Sequence, residues 1–212
     1  MRYTEYHDGV AVIKDKSLMK EAMQKLAKYE DAEDIEIKNL ILGERFDFKG
    51  FEWIVLDNNV DGGVLAIMTS TWQGKEYCFD DDGYNNYAKS SLRRKLLNEL
   101  LPVLGEDNLI PHEVDLVADN GDDSYGTVTD RVFILSYDEY RKYRKNVPLL
   151  PEWMWTCTPW CITNSGCGYN VRYVYVDGIL NVNYANNSYG VAPACVFKKD
   201  VVVEEVSKDG EK

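Results

Sequence analysis

Four cysteines, Cys157, Cys161, Cys167 and Cys195, gather toward the C-terminal side of this chain, and a thiol activated by a neighbouring base is the first chemistry they suggest. His112 could serve as that base, but the sequence shows no third residue placed to orient it. Buried, inert cysteines are the more common case, so nucleophilic catalysis is not expected. FDDDGYNN supplies Asp80, Asp81, Asp82, Asn85 and Asn86, a superficial likeness to a calcium loop that lacks both the ligand spacing and the terminal bidentate Glu. It reads as a solvated acidic turn. DNGDDSYG, from Asp119 to Gly126, reads as a polar surface loop. No Gly-rich phosphate loop follows a strand, and with only His7 and His112 a zinc site would need thiolates at unsuitable spacings. Neither a metal nor a cofactor is expected.

A different chemistry is written into GYNVRYVYVDGILNVNYANNSYGVAPA, from Gly168 to Ala194. Between Trp153 and Phe197 the only charged residues are Arg172 and Asp177, in a chain that is 28% charged. Tyr, Ser, Gly and Asn are what binding loops favour: Tyr gives wide amphipathic contact at low entropic cost, and the small polar residues adapt their hydrogen bonds. The same composition suits a hairpin whose rings merely cover a sheet. Composition alone leaves both readings open.

The elements that must position these residues follow from periodicity. Ser17, Leu18, Ala22, Met23, Leu26 and Tyr29 predict an amphipathic helix from Ser17 to Glu30, with an acidic connector, DAEDIEIKN, after it. FEWIVLD and GGVLAIMTS predict a hairpin across DNNVDGG. SSLRRKLLNELLPVLG predicts a helix with Leu92, Leu96, Leu97 and Leu100 inward. RVFILS predicts a buried strand, and SYDEYRKYRK a short helix opened by a Ser136–Glu139 capping box. VRYVYV and ILNVNY flank Asp177-Gly178; a two-residue turn there pairs Tyr175 with Leu180 and Tyr173 with Val182, whereas a one-residue bulge would exchange the faces. The order of elements predicts an α+β fold.

At 212 residues and 45% hydrophobic the chain can bury a sizeable core, and one main domain is expected. A formal charge of -12 would repel a phosphate backbone, so nucleic acid is not an expected partner. No run is long enough for a membrane span, and the opening residues lack the order of a signal peptide, which predicts a cytoplasmic site of synthesis. The odd cysteine count, without CxxC spacing, predicts reduced thiols.

From about Ile41 to Val203 the chain resembles a bacterial and phage family of C-type-lectin-like fold, near the formylglycine-generating-enzyme branch. The resemblance rests on Phe51-Glu52-Trp53-Ile54-Val55-Leu56, Ser91-Leu92-Arg93 with Leu96-Leu97-Asn98, and Asp130-Arg131-Val132-Phe133-Ile134-Leu135-Ser136 with Glu139. It continues through Trp153-Met154-Trp155 with Thr158-Pro159 and through Tyr189-Gly190-Val191-Ala192-Pro193-Ala194. Thr156-Cys157 and Ala192 depart from it, replacing arginine-bearing positions of that family. The Asn- and Tyr-dense stretch resembles the variable region of a diversity-generating retroelement target protein, in which template adenines are mutated over a fixed scaffold. VAVIKDKSLMKEAMQKLAKYED resembles the openings of small phage or prophage proteins of gut bacteria.

The amphipathic stripe predicts an N-terminal helical appendage (1–40) that either packs on its own domain or docks and self-associates, and the resemblance implies a lectin-like domain (41–212) whose variable region covers about 156–190. Trp153, Trp155, Pro159, Gly178, Gly190 and Pro193 would be scaffold. Contacts to an unknown protein or glycan ligand are expected from Trp160, Thr163, Asn164, Ser165, Tyr169, Arg172, Tyr173, Tyr175, Asp177, Ile179, Asn181, Asn183, Tyr184, Asn186, Asn187 and Tyr189. The alternatives are an oxidoreductase-like enzyme using Cys157 with Cys161, or a structural phage component.

Overall fold

The computed structural model describes residues 4–7, 10–13, 17, 19–20, 23, 34–162 and 167–206. Strands β1 (Thr4–His7) and β2 (Val10–Ile13) form a hairpin, and β3 (Asp34–Glu36), β4 (Arg45–Phe48), β5 (Phe51–Val60), β6 (Gly63–Met68) and β7 (Tyr77–Cys78) follow. Helix α1 (91–104) leads to β8 (Leu109–Ile110), β9 (His112–Asp115) and β10 (Thr127–Asp130), and then to α2 (Tyr137–Tyr143). The remaining strands are β11 (Met154–Pro159), β12 (Asn170–Val174), β13 (Leu180–Tyr184), β14 (Ser188–Tyr189), β15 (Ala194–Phe197) and β16 (Val202–Glu205). The fold is α+β and mostly antiparallel. Among the described residues no helix is long and apolar enough to cross a membrane.

The main sheet runs β3-β16-β4-β5-β6-β15-β8, and β11-β12-β13 form a second sheet. Its centre is the predicted β5–β6 hairpin, closed by Asp61 and Gly62 at φ 50° and 81°, the paired left-handed conformations of a tight hairpin turn. Both strands of the hairpin carry buried apolar residues, and β6 is buried throughout. Phe197 of β15 meets Phe46, Phe48 and Trp53 edge-on, with ring centroids 5.2–5.5 Å apart, the geometry that aromatic quadrupoles favour.

Helix α1 begins where Ser90 Oγ accepts the N–H of Arg93 at 3.1 Å and stops at Gly105, whose φ is 80°. Leu92, Leu96, Leu100 and Leu104 are its buried stripe, while Leu97, expected inward, is only half-buried. A stripe of spacing four drifts ahead of a 3.6-residue turn; the π-wound segment Leu96–Leu100 has a wider turn that absorbs the drift. The capping box at α2 is present, with Ser136 Oγ accepting from Glu139 N at 3.2 Å and Glu139 Oε2 accepting from Ser136 N at 2.8 Å.

Two further expectations need correction. RVFILS is buried but irregular: only Phe133 bridges to Ala194, because β15 already pairs with β6 and β8. The acidic connector is not a connector throughout, since Asp34–Glu36 pairs with β16 and Ile37 is fully buried in the core, so the sheet starts before the expected boundary at 40. The expected Ser17–Glu30 helix lies almost wholly outside the described residues.

Gly63 shows how tightly the sheet closes. A Cβ there would stand 2.4 Å from the carbonyl oxygen of Phe197 and 2.7 Å from Ile110 Cδ1. Gly63→Ala should therefore cost about 1–3 kcal/mol by overpacking, read as a lowered denaturant midpoint at unchanged slope.

Candidate binding surface

The Tyr- and Asn-rich segment folds as β12, a tight connection and β13, lying beside β11. Tyr175 N–H donates to Ile179 O at 2.8 Å and Gly178 N–H to Tyr175 O at 2.8 Å, with Gly178 at φ 82°. This is a three-residue loop with glycine at the bulge, so the expected two-residue turn is corrected. Tyr173 now faces Asn181 and Arg172 faces Val182, exchanging the faces of β13 relative to β12.

The slip decides what is buried. Tyr173 and Tyr189 are only 2% and 7% exposed, which overturns their expected place on an open surface. They are covered because Trp153 stacks on Tyr173 at 5.2 Å, Trp155 lies 4.4 Å from Tyr189, and Tyr173 and Tyr189 meet at 4.8 Å. Burial, reinforced by Tyr175, holds the Tyr173 hydroxyl well above the ordinary tyrosine range. Tyr175, Asn181 and Asn183 are half-buried: Asn181 Nδ2 donates to Tyr175 Oη at 3.1 Å, and Asn183 Nδ2 to Tyr189 Oη at 2.5 Å. These are tethers to the aromatic layer.

The two charges are also engaged. Arg172 pairs with Asp119 and lies over the ring of Tyr137, its guanidinium carbon 5.6 Å from the centroid. Asp177 is exposed, yet its Oδ1 accepts the N–H of Ile179 at 2.9 Å and so closes the loop. Tyr140 Oη donates to Gly178 O at 3.1 Å, docking the hairpin tip on α2. Of the remaining expected contacts, Trp160, Tyr169, Ile179, Tyr184 and Asn186 are exposed and Asn187 is half-buried, whereas Thr163, Asn164 and Ser165 lie outside the described residues. Trp160, Tyr169, Tyr184 and Asn186 belong to the open end of the hairpin; Asp177 and Ile179 belong to its tip.

The residue that positions this segment is Asn85, read from sequence as part of a solvated turn. It is fully buried, and its Nδ2 reaches the carbonyls of Cys161 at 2.8 Å, Asn170 at 2.9 Å and Cys167 at 3.2 Å. Its Oδ1 accepts from Tyr125 Oη at 2.9 Å. Asp80 is buried too, accepting the N–H groups of Ser91 at 3.0 Å and Tyr84 at 3.1 Å. FDDDGYNN is thus a bracket around the loop. The available signal was its position between two aromatics, Phe79 and Tyr87, both fully buried.

The cysteines and His112 take structural positions. Cys161 and Cys167 form a disulfide, Cα atoms 5.8 Å apart, which corrects the expectation of unpaired thiols and separates Cys161 from Cys157. Cys157 is fully buried, and burial, with Glu139 and Asp115 nearby, pushes its thiol well above the ordinary value. His112 Nδ1 lies 2.6 Å from Asp61 and its Nε2 3.1 Å from Glu139, the ring stacked 4.6 Å from Phe133. With a carboxylate beside each nitrogen, both ring nitrogens are engaged, and the protonated ring would bridge the two anions. Among the described residues no three His, Cys, Asp or Glu side chains gather as a metal site would require.

Replacing Asn85 by Ala would remove the amide contacts to the carbonyls of Cys161, Cys167 and Asn170, of which the last two keep backbone donors at 3.1 and 3.0 Å, and the acceptor for Tyr125 Oη, an expected loss of about 1–3 kcal/mol by denaturant melt. Burial alone would lower the pKa of His112, but hydrogen bonds to Glu139 and Asp61 outweigh it and hold it above the ordinary histidine value. Its contribution is fully present below the unfolded histidine pKa of about 6.5 and fades as pH rises through the higher folded value. The melting temperature should fall over that window in the native chain and lose this pH dependence in His112→Gln. Compared with family models, with curated proteins and with solved structures, the chain matches none.

Proposed function

We propose that this chain is a ligand-binding, receptor-recognition protein whose lectin-like scaffold displays a surface diversified by a retroelement, in the manner of a phage or prophage variable protein. The reading is carried by one observation: within a single Tyr- and Asn-rich segment, side chains are sorted into a tethered layer and a free one. Tyr173, Tyr175, Asn181, Asn183 and Tyr189 hold one another, while Trp160, Tyr169, Ile179, Tyr184 and Asn186 project outward. Backbone bonds carry the hairpin, so the outward positions can change identity without rearranging what lies beneath. The ligand is a protein or glycan, and the exposed apolar and aromatic content, Ile179 and Tyr184 at 59% each and Tyr169 at 45%, suits a recognition surface. The role proposed is binding without catalysis, since Cys157 is buried and His112 is committed on both nitrogens.

The flanking DNA tests this directly. A near-identical repeat that differs from this coding segment at adenine positions, beside a reverse-transcriptase gene, is the expected finding. Its absence, with invariant codons at Tyr169, Ile179, Tyr184 and Asn186 in sibling copies, would sink the reading. In the protein, replacing those four by Ser should shift stability by no more than roughly 0.5 kcal/mol each, whereas Tyr173→Ala should cost about 3–5 kcal/mol.

A further inference from the structure

At the open end of the β12–β13 hairpin lies a recess of about 320 Å³ lined by Asp82, Gly83, Tyr169, Tyr184 and Asn186. Its walls come from three stretches of chain, at 82–83, 169 and 184–186, held together through Ala185, which is fully buried. Ala185 N–H donates to Tyr169 O at 2.7 Å, and its carbonyl accepts from Phe79 N at 2.9 Å and Asp80 N at 3.1 Å. Gly83, at φ 80°, supplies the left-handed conformation of the 80–84 turn beside Asn186, where a Cβ would sit in ordinary contact at 3.7 Å from Asn186 Cβ. Tyr84 backs the site, its ring 5.6 Å from that of Tyr169 and inclined by 30°. The recess is therefore formed by backbone bonds before any ligand arrives, while its chemistry is set by side chains.

That chemistry has one sign. Tyr169 and Tyr184 bring two aromatic rings to the lining, whose π-clouds are electron-rich, none of the lining residues is basic, and Asp82 adds a carboxylate that no hydrogen bond or ion pair engages among the described residues. The chain as a whole carries a formal charge of -12, which raises the local concentration of cations. A pyranose would ask for several converging donors and acceptors, and beyond the two tyrosine hydroxyls this recess offers one carboxylate and one amide side chain. An alkylammonium asks for what is present: aromatic faces around the methyl or methylene groups and one anion nearby. We infer that this recess binds an organic ammonium group, either the primary ammonium of a lysine side chain or a quaternary ammonium of choline type. The inference rests on the binding-surface reading above and names the ligand chemistry of one part of that surface.

The test titrates the full chain, by saturation-transfer NMR and calorimetry, with choline, with Nα-acetyl-lysine amide, with the uncharged choline isostere 3,3-dimethyl-1-butanol, and with N-acetylglucosamine. The expected result is millimolar binding of at least one ammonium and binding about tenfold weaker, or none, for the neutral isostere. Choline above the lysine amide, or the reverse, tells which ammonium class the site prefers. Tyr169→Leu and Tyr184→Leu, which keep apolar bulk but lose the π-face, should weaken binding severalfold, as should Asp82→Asn, while Tyr169→Phe retains it. Equal binding of choline and its isostere, no ammonium binding up to about 50 mM, or binding of N-acetylglucosamine alone would overturn the inference. These outcomes are separate from those of the DNA test: a variable repeat with no ammonium binding removes this site alone, and ammonium binding without the repeat removes only the diversification.

Discussion

One buried amide holds the surface in place. Asn85 brings two N–H hydrogens to three carbonyls, those of Cys161, Cys167 and Asn170, so at least one hydrogen is shared, consistent with the longest contact at 3.2 Å. A primary amide suits this spot because it offers two N–H donors to the carbonyls and one acceptor to Tyr125 Oη. A carboxylate would face three carbonyls with no proton to offer, and an apolar residue would take from the Cys161 carbonyl its side-chain donor while those of Cys167 and Asn170 kept only their backbone N–H partners. Because these three residues bracket the 161–170 loop, the start of β12 is fixed relative to α1 and the main sheet through a group outside the Tyr-rich segment. The segment can therefore carry little structural information of its own and still sit in one place.

Below the surface the aromatic layer provides the second constraint. Trp153, Trp155, Tyr173, Tyr175 and Tyr189 contact one another edge-on or tilted, with Trp153 on Tyr173 stacked, and Trp155 Nε1 donates to Tyr77 O at 2.9 Å. Tyrosine serves here because each ring buries apolar area while its hydroxyl can find an amide partner, as Tyr175 and Tyr189 do in Asn181 and Asn183. Had these positions been phenylalanine, the asparagines of β13 would lose their tethers.

The same asparagines manage an exposed edge. β13 is the outer strand of its sheet. The hairpin closes at Tyr175–Ile179, so bonding positions recur at Asn181 and Asn183, and the N–H groups of Val182 and Tyr184 point away from β12. The side-chain oxygens of Asn181 and Asn183 accept those two N–H groups at 2.8 and 2.9 Å. An edge whose donors are already engaged is a poor template for another strand, so a side chain that looks like recognition chemistry also guards against edge pairing.

Local signals made much of the architecture legible. Asp61-Gly62 marks a hairpin whatever surrounds it, Ser136 with Glu139 marks a helix start, and the leucines of α1 mark a buried face, because each is a property of a few adjacent residues. The division of the binding segment into buried and outward side chains was not legible. A three-residue loop in place of a two-residue one moves β13 by one register position, and the period of two then turns every side chain over; both loops fit Asp177-Gly178. Asn85 was hidden for a related reason. A polar residue in an acidic turn belongs by composition to the solvent, and only the arrival of three carbonyls from residues some eighty positions away makes its burial favourable. The sequence by itself determined that tyrosines and asparagines would share a hairpin; the packing of Trp153 and Trp155 against it, a long-range contact, decided which of them face the solvent.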